Sequence, residues 1–161
     1  MGVKSFFHEI KSKVSPSRLF KALVTESPEV GPKFMSQYVK SVEIVEGHGV
    51  TPGCVIKTNF HDGAPSKYMK HRIDAVDTEN YLCKYTLIEG DALGDKLEKV
   101  CSVLKFEGTD DGGCTIKVTN DYHAKGDLEV NDDEIKKGKD ETIGLYKACE
   151  DYLTANPSVC A

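Results

Sequence analysis

The stretch from Asn131 to Asn156 constrains the fold more than any other part of the chain. Asn131 is a good helix N-cap, and Glu134 stands three residues on, in the spacing of a capping box. Asp132, Asp133 and Glu134 place negative charge in the first turn, where the helix dipole favours it. No proline interrupts before Pro157, which is a natural stop. The pattern predicts one helix of roughly 38 Å, about the width of a small domain. Ile135, Ile143, Tyr146, Cys149 and Leu153 recur at helical spacing, widened by Leu145, Ala148 and Tyr152. After Ile143 the stripe is broad. Before it the inward line reads Ile135, Gly138, Lys139, Thr142, which is thin, so this half faces either a cavity or water.

At 161 residues a single domain spanning 1–161 is expected, long enough for a sizeable core. The net charge of -5 argues against a nucleic-acid footprint, which is normally basic. No run of eighteen apolar residues exists, so no membrane span is expected. The polar segment Met1 to Ser12 lacks an apolar signal core, which points to a cytoplasmic protein. Cys54, Cys83, Cys101, Cys114, Cys149 and Cys160 form no CxxC pair and read as reduced, mostly small core residues.

Ahead of the long helix the chain alternates strand patterns with short turns. Strands are expected at Val3 to Ser12, Val39 to Val45, Cys54 to Phe60, Lys67 to Val76, Asn80 to Ile88, Leu97 to Phe106 and Thr115 to His123. Ser15-Pro16 and Ser27-Pro28-Glu29 each start a short helix, and two such helices in succession form a V. Turns follow at Gly47 to Gly53, His61 to Pro65 and Thr109 to Gly113. Strands joined this way make an antiparallel meander of α+β class, and its buried face has one large partner, the terminal helix. A helix is only about 10 to 12 Å across, narrower than a curved seven-stranded sheet. With no Trp and six Phe to fill the gap, a ligand cavity is expected.

Individual motifs point away from common chemistries. The Gly47 to Gly53 turn joins two strands, so no helix N-terminus faces a phosphate there, and it reads as a structural turn. His8, His48, His61, His71 and His123 show no metal-ligand spacing and read as surface or hydrogen-bonded residues; no metal and no cofactor is expected. No Gly-x-Ser-x-Gly or Cys/His signature is present. Tyr68, Tyr81, Tyr85 and Tyr122 fall on strands, where an apolar ring with a polar tip suits a core edge or a cavity wall.

Several segments carry a resemblance: Lys40 to Val45 followed by Glu46-Gly47-His48-Gly49-Val50-Thr51-Pro52-Gly53, then Lys84 to Asp91, Leu97-Glu98-Lys99, Tyr122 to Asp127 and Glu150-Asp151-Tyr152-Leu153. In this order, over essentially the whole chain, they resemble the birch-pollen-allergen family, the class-10 pathogenesis-related proteins of plants. The resemblance implies a helix-grip fold: a seven-stranded antiparallel sheet wrapped around a long C-terminal helix, two short helices in a V, and a large internal cavity. It also implies binding, storage or transport of small amphipathic ligands (flavonoids, cytokinins or other phytohormones, alkaloids) in a defence or stress setting, by a monomer or weak dimer. The ligand set it implies is Leu23, Phe60, Tyr68, Arg72, Tyr85, Leu104, Tyr122 and Lys139, with Thr142 and Ile143 on the long helix. Glu98, Glu150 and Tyr152 match residues proposed in the family for ribonuclease activity, which leaves an enzyme as the alternative, ribonuclease-like or alkaloid-converting. A hormone-receptor-like phosphatase regulator ranks last, because His61 to Ser66 and Glu89 to Gly94 do not resemble that group's Ser-Gly-Leu-Pro gate. The glycine loop departs from the family pattern: Val50 replaces one glycine, one extra residue precedes Gly53, and Ile56 stands where the family often has lysine.

Overall fold

The structure is a computed structural model and describes residues 2–64 and 66–161; Pro65, at the end of the expected turn after the third strand, lies outside them, as does Met1. Its elements are β1 (Val3–Ser12), α1 (Pro16–Phe20, running on as a π-helical turn, Lys21–Thr25), α2 (Ser27–Phe34), β2 (Val39–Glu46), β3 (Val55–Phe60), β4 (Tyr68–Asp77), β5 (Leu82–Gly90), β6 (Leu97–Gly108), β7 (Cys114–Ala124) and α3 (Asp132–Ala155). The strands form one antiparallel sheet in the order β1-β7-β6-β5-β4-β3-β2, so the first strand pairs with the last and lies at an edge.

Helix starts follow local chemistry. The Asn131 side chain accepts from Glu134 N–H at 2.9 Å. The reciprocal half of a capping box is replaced by a contact of the Glu134 carboxylate with Lys96 at 3.4 Å. Ser15 caps α1 by accepting from Arg18 N–H at 3.4 Å. The expected cap at Ser27 does not form: Ser27 is already helical, and its hydroxyl donates to the Val24 carbonyl at 2.9 Å. The fifth strand also starts later than expected. The Asp77 carboxylate accepts from Glu79 N–H and Asn80 N–H, closing a turn that leaves Tyr81 at φ 53°, off the strand. Tyr81 packs instead on Phe20, ring centroids 5.5 Å apart.

The Gly47–Gly53 loop joins β2 to β3, as expected of a structural turn, with Gly47, Gly49 and Gly53 all at positive φ. Ile56 turns into a cluster with Cys54 and Ile73. The end of β5 needs glycine too. Gly90 has φ 141°, and a Cβ there would stand 2.8 Å from the Tyr68 carbonyl oxygen.

One end of the interior is solidly filled. Leu19, Phe20, Phe106, Ile116, Val118, Cys149 and Leu153 are all almost inaccessible to solvent. Phe20 meets Phe106 edge-on at 5.5 Å. Arg18 closes that end by donating to the carbonyls of Leu153, Asn156 and Val159 at 2.8–3.1 Å, which satisfies groups left open where α3 stops. All six cysteines are free thiols, and four are buried. A smaller cluster of Leu93, Leu97, Tyr122, Val130 and Ile135 pins the start of α3. Among the described residues no helix is long and apolar enough to cross a membrane.

Candidate functional site: the wall between sheet and long helix

Side chains alternate across a strand, so the buried clusters fix which residues face α3. Leu104, Phe106, Ile116 and Val118 are in one cluster with Tyr146, Cys149 and Leu153 of α3. Two residues along the same strands, and in register across them, Ser102 stands beside Asn120 and Tyr85. The Ser102 hydroxyl donates to the Asn120 side-chain oxygen at 2.7 Å, and both are buried. Tyr85 continues this polar lane to His71, whose ring lies edge-on to it at 5.1 Å.

Tyr85 and His71 sit deep in the molecule. Burial pushes the Tyr85 phenol up to about 12, against the pull of a hydrogen bond with Ser102. Burial pushes the His71 imidazole down to about 4. Yet both residues keep part of their surface accessible, as do Met69, Leu87 and Val100 on the neighbouring strand positions and Thr142 on α3. Tyr122 lies at the border of this region, edge-on to Phe6 at 6.1 Å. Its hydroxyl reaches α3 at Gly138, where a Cβ would stand 3.2 Å away. Burial, and then the Glu141 carboxylate, push its phenol up.

Of the expected ligand set, Tyr85, Tyr122, Leu104 and Thr142 share this inner side, and Phe60 alternates onto it with Ile56. Leu104 is fully packed, and Leu23 borders the filled end. Thr142 is half-buried, its hydroxyl donating to the Gly138 carbonyl at 2.9 Å.

Four residues are placed elsewhere. Ile73 points inward, so Arg72 and Asp74 point outward, joined at 2.7 Å. Tyr68 is opposite Asn59 on the outer face, its hydroxyl donating to Glu89 at 2.7 Å and its ring under the Lys57 ammonium at 4.9 Å. Ile143 is 39 % exposed, because α3 turns Thr142 and Tyr146 inward and carries Ile143 away from that line. Lys139 is exposed, flanking Gly138 rather than lying on the inward line, although its charge is felt at His8 on β1.

The nuclease candidates do not meet. Glu98 is exposed in a shallow outer depression with Gly2, Val3 and His123. Glu150 is buried at the other end of β1, where Lys147 at 3.2 Å and the Ser12 hydroxyl engage it. Burial works to raise its carboxyl, but Ser12 and Lys147 together hold it below the usual carboxylate range. Val3 to Ser12 spans roughly 30 Å, and the two carboxylates sit at opposite ends of it. Tyr152 is half-buried against the filled core. An acid–base pair has to reach one substrate bond, which this separation forbids.

His8 is a residue that spacing rules pass over. It stands between Phe6 and Ile10, both inward, and is itself turned inward and buried. The signal was present: alternation in Phe6-Phe7-His8-Glu9-Ile10 puts the imidazole on the apolar side.

Comparison with known proteins agrees with this architecture. The family described as "Pathogenesis-related protein Bet v 1 family" matches residues 1–156. Pathogenesis-related protein STH-2 of Solanum tuberosum is 48 % identical over 161 residues, covering 100 % of both chains. The crystal structure of Ara h 8.0201 superposes with a TM-score of 0.86 at 39 % identity, covering 96 % of this chain and 100 % of that one. Norcoclaurine synthase from Thalictrum flavum, solved with dopamine and hydroxybenzaldehyde, shares the fold at a TM-score of 0.72 and 19 % identity, covering 96 % of this chain and 88 % of its own.

Proposed function

The chain belongs to the pathogenesis-related Bet v 1 family, and from that premise we propose that it binds and carries small amphipathic molecules between its sheet and α3. One observation supports this most directly. Tyr85 and His71 lie deep enough for strong desolvation, yet retain accessible surface, the combination expected of the lining of an internal space. The wall is largely apolar, with a few polar groups (Tyr85, Ser102, Asn120, Tyr122) to orient a guest. Flat aromatic ligands of flavonoid, cytokinin or alkaloid type suit such a wall, in a defence or stress setting. Micromolar binding corresponds to about -8 kcal/mol, most of it from apolar area leaving water.

The chain has no Trp, so binding is read with an added dye. Anilinonaphthalene sulfonate should brighten on addition of the protein, and a flavonoid or cytokinin should displace it. A protein that neither brightens the dye nor binds any member of such a panel is filled, and the carrier reading fails.

A further inference from the structure

Among the described residues, His8 Nε2 is the one buried side-chain polar atom without a hydrogen-bond partner. The residue is 9 % exposed and stands on β1 opposite Val118, which is itself buried. An unpaired buried polar atom costs stability, so a fold that carries one invites a function for it.

The charges around it are one-sided. From α3 the Lys139 ammonium acts on His8, adding to burial in disfavouring its protonation. Lys139 forms no ion pair with the described residues. On β1, Lys4 is engaged with Asp132 of α3 at 3.8 Å. From β7 the neighbours are Asn120 and Tyr122, and Glu141 of α3 acts on the Tyr122 hydroxyl. The strand carboxylates Glu9, Glu43, Asp74, Glu89, Glu107 and Asp121 alternate onto the outer face. The inner wall around His8 therefore offers an imidazole, an amide and hydroxyls, with a lysine at its rim and no carboxylate from β1 or β7 to neutralise it.

We propose that His8 Nε2 and the Lys139 ammonium together hold the carboxylate of an amphipathic ligand whose apolar body lies against Tyr85 and Tyr122. This rests on the carrier reading and narrows it to organic acids. Reaching the imidazole requires a small outward movement of α3, whose stretch at Gly138 and Thr142 carries little side-chain bulk. Binding takes one proton from solvent onto His8, and the new N–H donates to a carboxylate oxygen while Lys139 pairs with the other. Because burial and Lys139 disfavour protonation of His8 in the empty protein, the acid should bind more tightly as the pH falls from 8 to 6.

Naphthylacetate and naphthylacetamide differ only in the carboxylate, and equilibrium dialysis of each against the full chain tests the site. The acid should bind at least about tenfold more tightly than the amide at pH 6, with the gap narrowing at pH 8. His8→Leu should lower the preference severalfold, to what Lys139 supports alone, with the loss falling on the acid more than on the amide. His8→Gln, which keeps a polar side chain if the leucine variant folds poorly, should erase the pH dependence. In an NMR titration the His8 imidazole should gain its proton at higher pH with the acid present, and not with the amide. Equal binding of acid and amide, or a preference undiminished in both His8 variants, overturns the proposal and leaves the carrier reading intact. Failure of the dye, the acid and the amide alike overturns both.

Discussion

At one end of the interior, Phe20, Phe106, Ile116 and Leu153 are packed to near-complete exclusion of water, with Arg18 holding the tail of α3 shut over them. In the middle of the same sheet and helix, Tyr85, His71, Met69, Leu87 and Thr142 face inward and still keep accessible surface. The strands are continuous through both regions, so the difference comes from what lies opposite. The filled end is covered by α1, its π-helical turn, and the buried residues Tyr146, Cys149 and Leu153. Toward the start of α3 the inward line is Gly138, which meets the Tyr122 hydroxyl, and Thr142, both with little side chain to offer a sheet. Stability is thus concentrated at one end, and the capacity to admit a guest at the other.

That division can be broken most forcefully at Phe106. Phe106→Ala should cost about 3–5 kcal/mol in urea unfolding, because the site is fully packed and edge-on to Phe20. A loss below about 1 kcal/mol would mean that the filled end is loosely packed after all.

His71 sharpens the contrast through pH. Its folded-state pKa is about 4, below the ordinary histidine value of 6.5, so between these limits the unfolded chain binds the extra proton. Stability should therefore fall as the pH drops through that window, by roughly 2 kcal/mol for a residue that still touches water. His71→Phe should flatten the dependence. A wild-type profile that is already flat between pH 6.5 and 4 would place His71 in ordinary solvent.

Asn131→Ala should cost about 1 kcal/mol by removing the cap of α3, lowering the thermal midpoint by a few degrees. An unchanged midpoint would show that the start of α3 is held by the Ile135 cluster alone.

Thr142→Phe should change stability least, by under about 1 kcal/mol, since it fills space instead of opening it. Its effect belongs to binding: dye affinity should drop about tenfold or more. Hydrogen exchange offers a companion measurement, with amides at Gly138 to Thr142 expected to exchange faster than those at Tyr146 to Leu153. Unaltered dye binding in the variant, or equal exchange along α3, would put the guest elsewhere.

Much of this was legible where chemistry is local. Asn131, Ser15-Pro16 and the turn glycines act through their immediate neighbours, and these elements form where sequence patterns place them. Ser27 failed because two acceptor arrangements compete within one turn, and the Val24 carbonyl won. The site was harder to read because it depends on which face a residue takes. Tyr68 and Arg72 alternate with Met69, His71 and Ile73 along an unbroken run of β4, and apolar Met69 and Ile73 take the inner face; the resemblance had implied the opposite face for the two. Ile143 looked apolar enough for the inward stripe, but a helix can bury only one side of itself, and Thr142 and Tyr146 took it. His8 was readable by alternation alone, since metal-ligand spacing says nothing of which face an imidazole takes.

The pairing of first strand with last has a consequence in time. Val3 of β1 lies against His123 of β7, 120 residues later in the chain. At bacterial to eukaryotic synthesis rates of about 5–20 residues per second, β1 waits roughly 6 to 24 seconds for its partner to be made. During that interval Phe6 and Phe7 have no sheet to join, and an unpaired apolar strand is an invitation to aggregate. Lys4, Glu9 and Lys11 interrupt the segment with charge at both ends of the apolar pair. Those three charges therefore guard the apolar pair while β1 waits, before the mature protein makes any use of the strand.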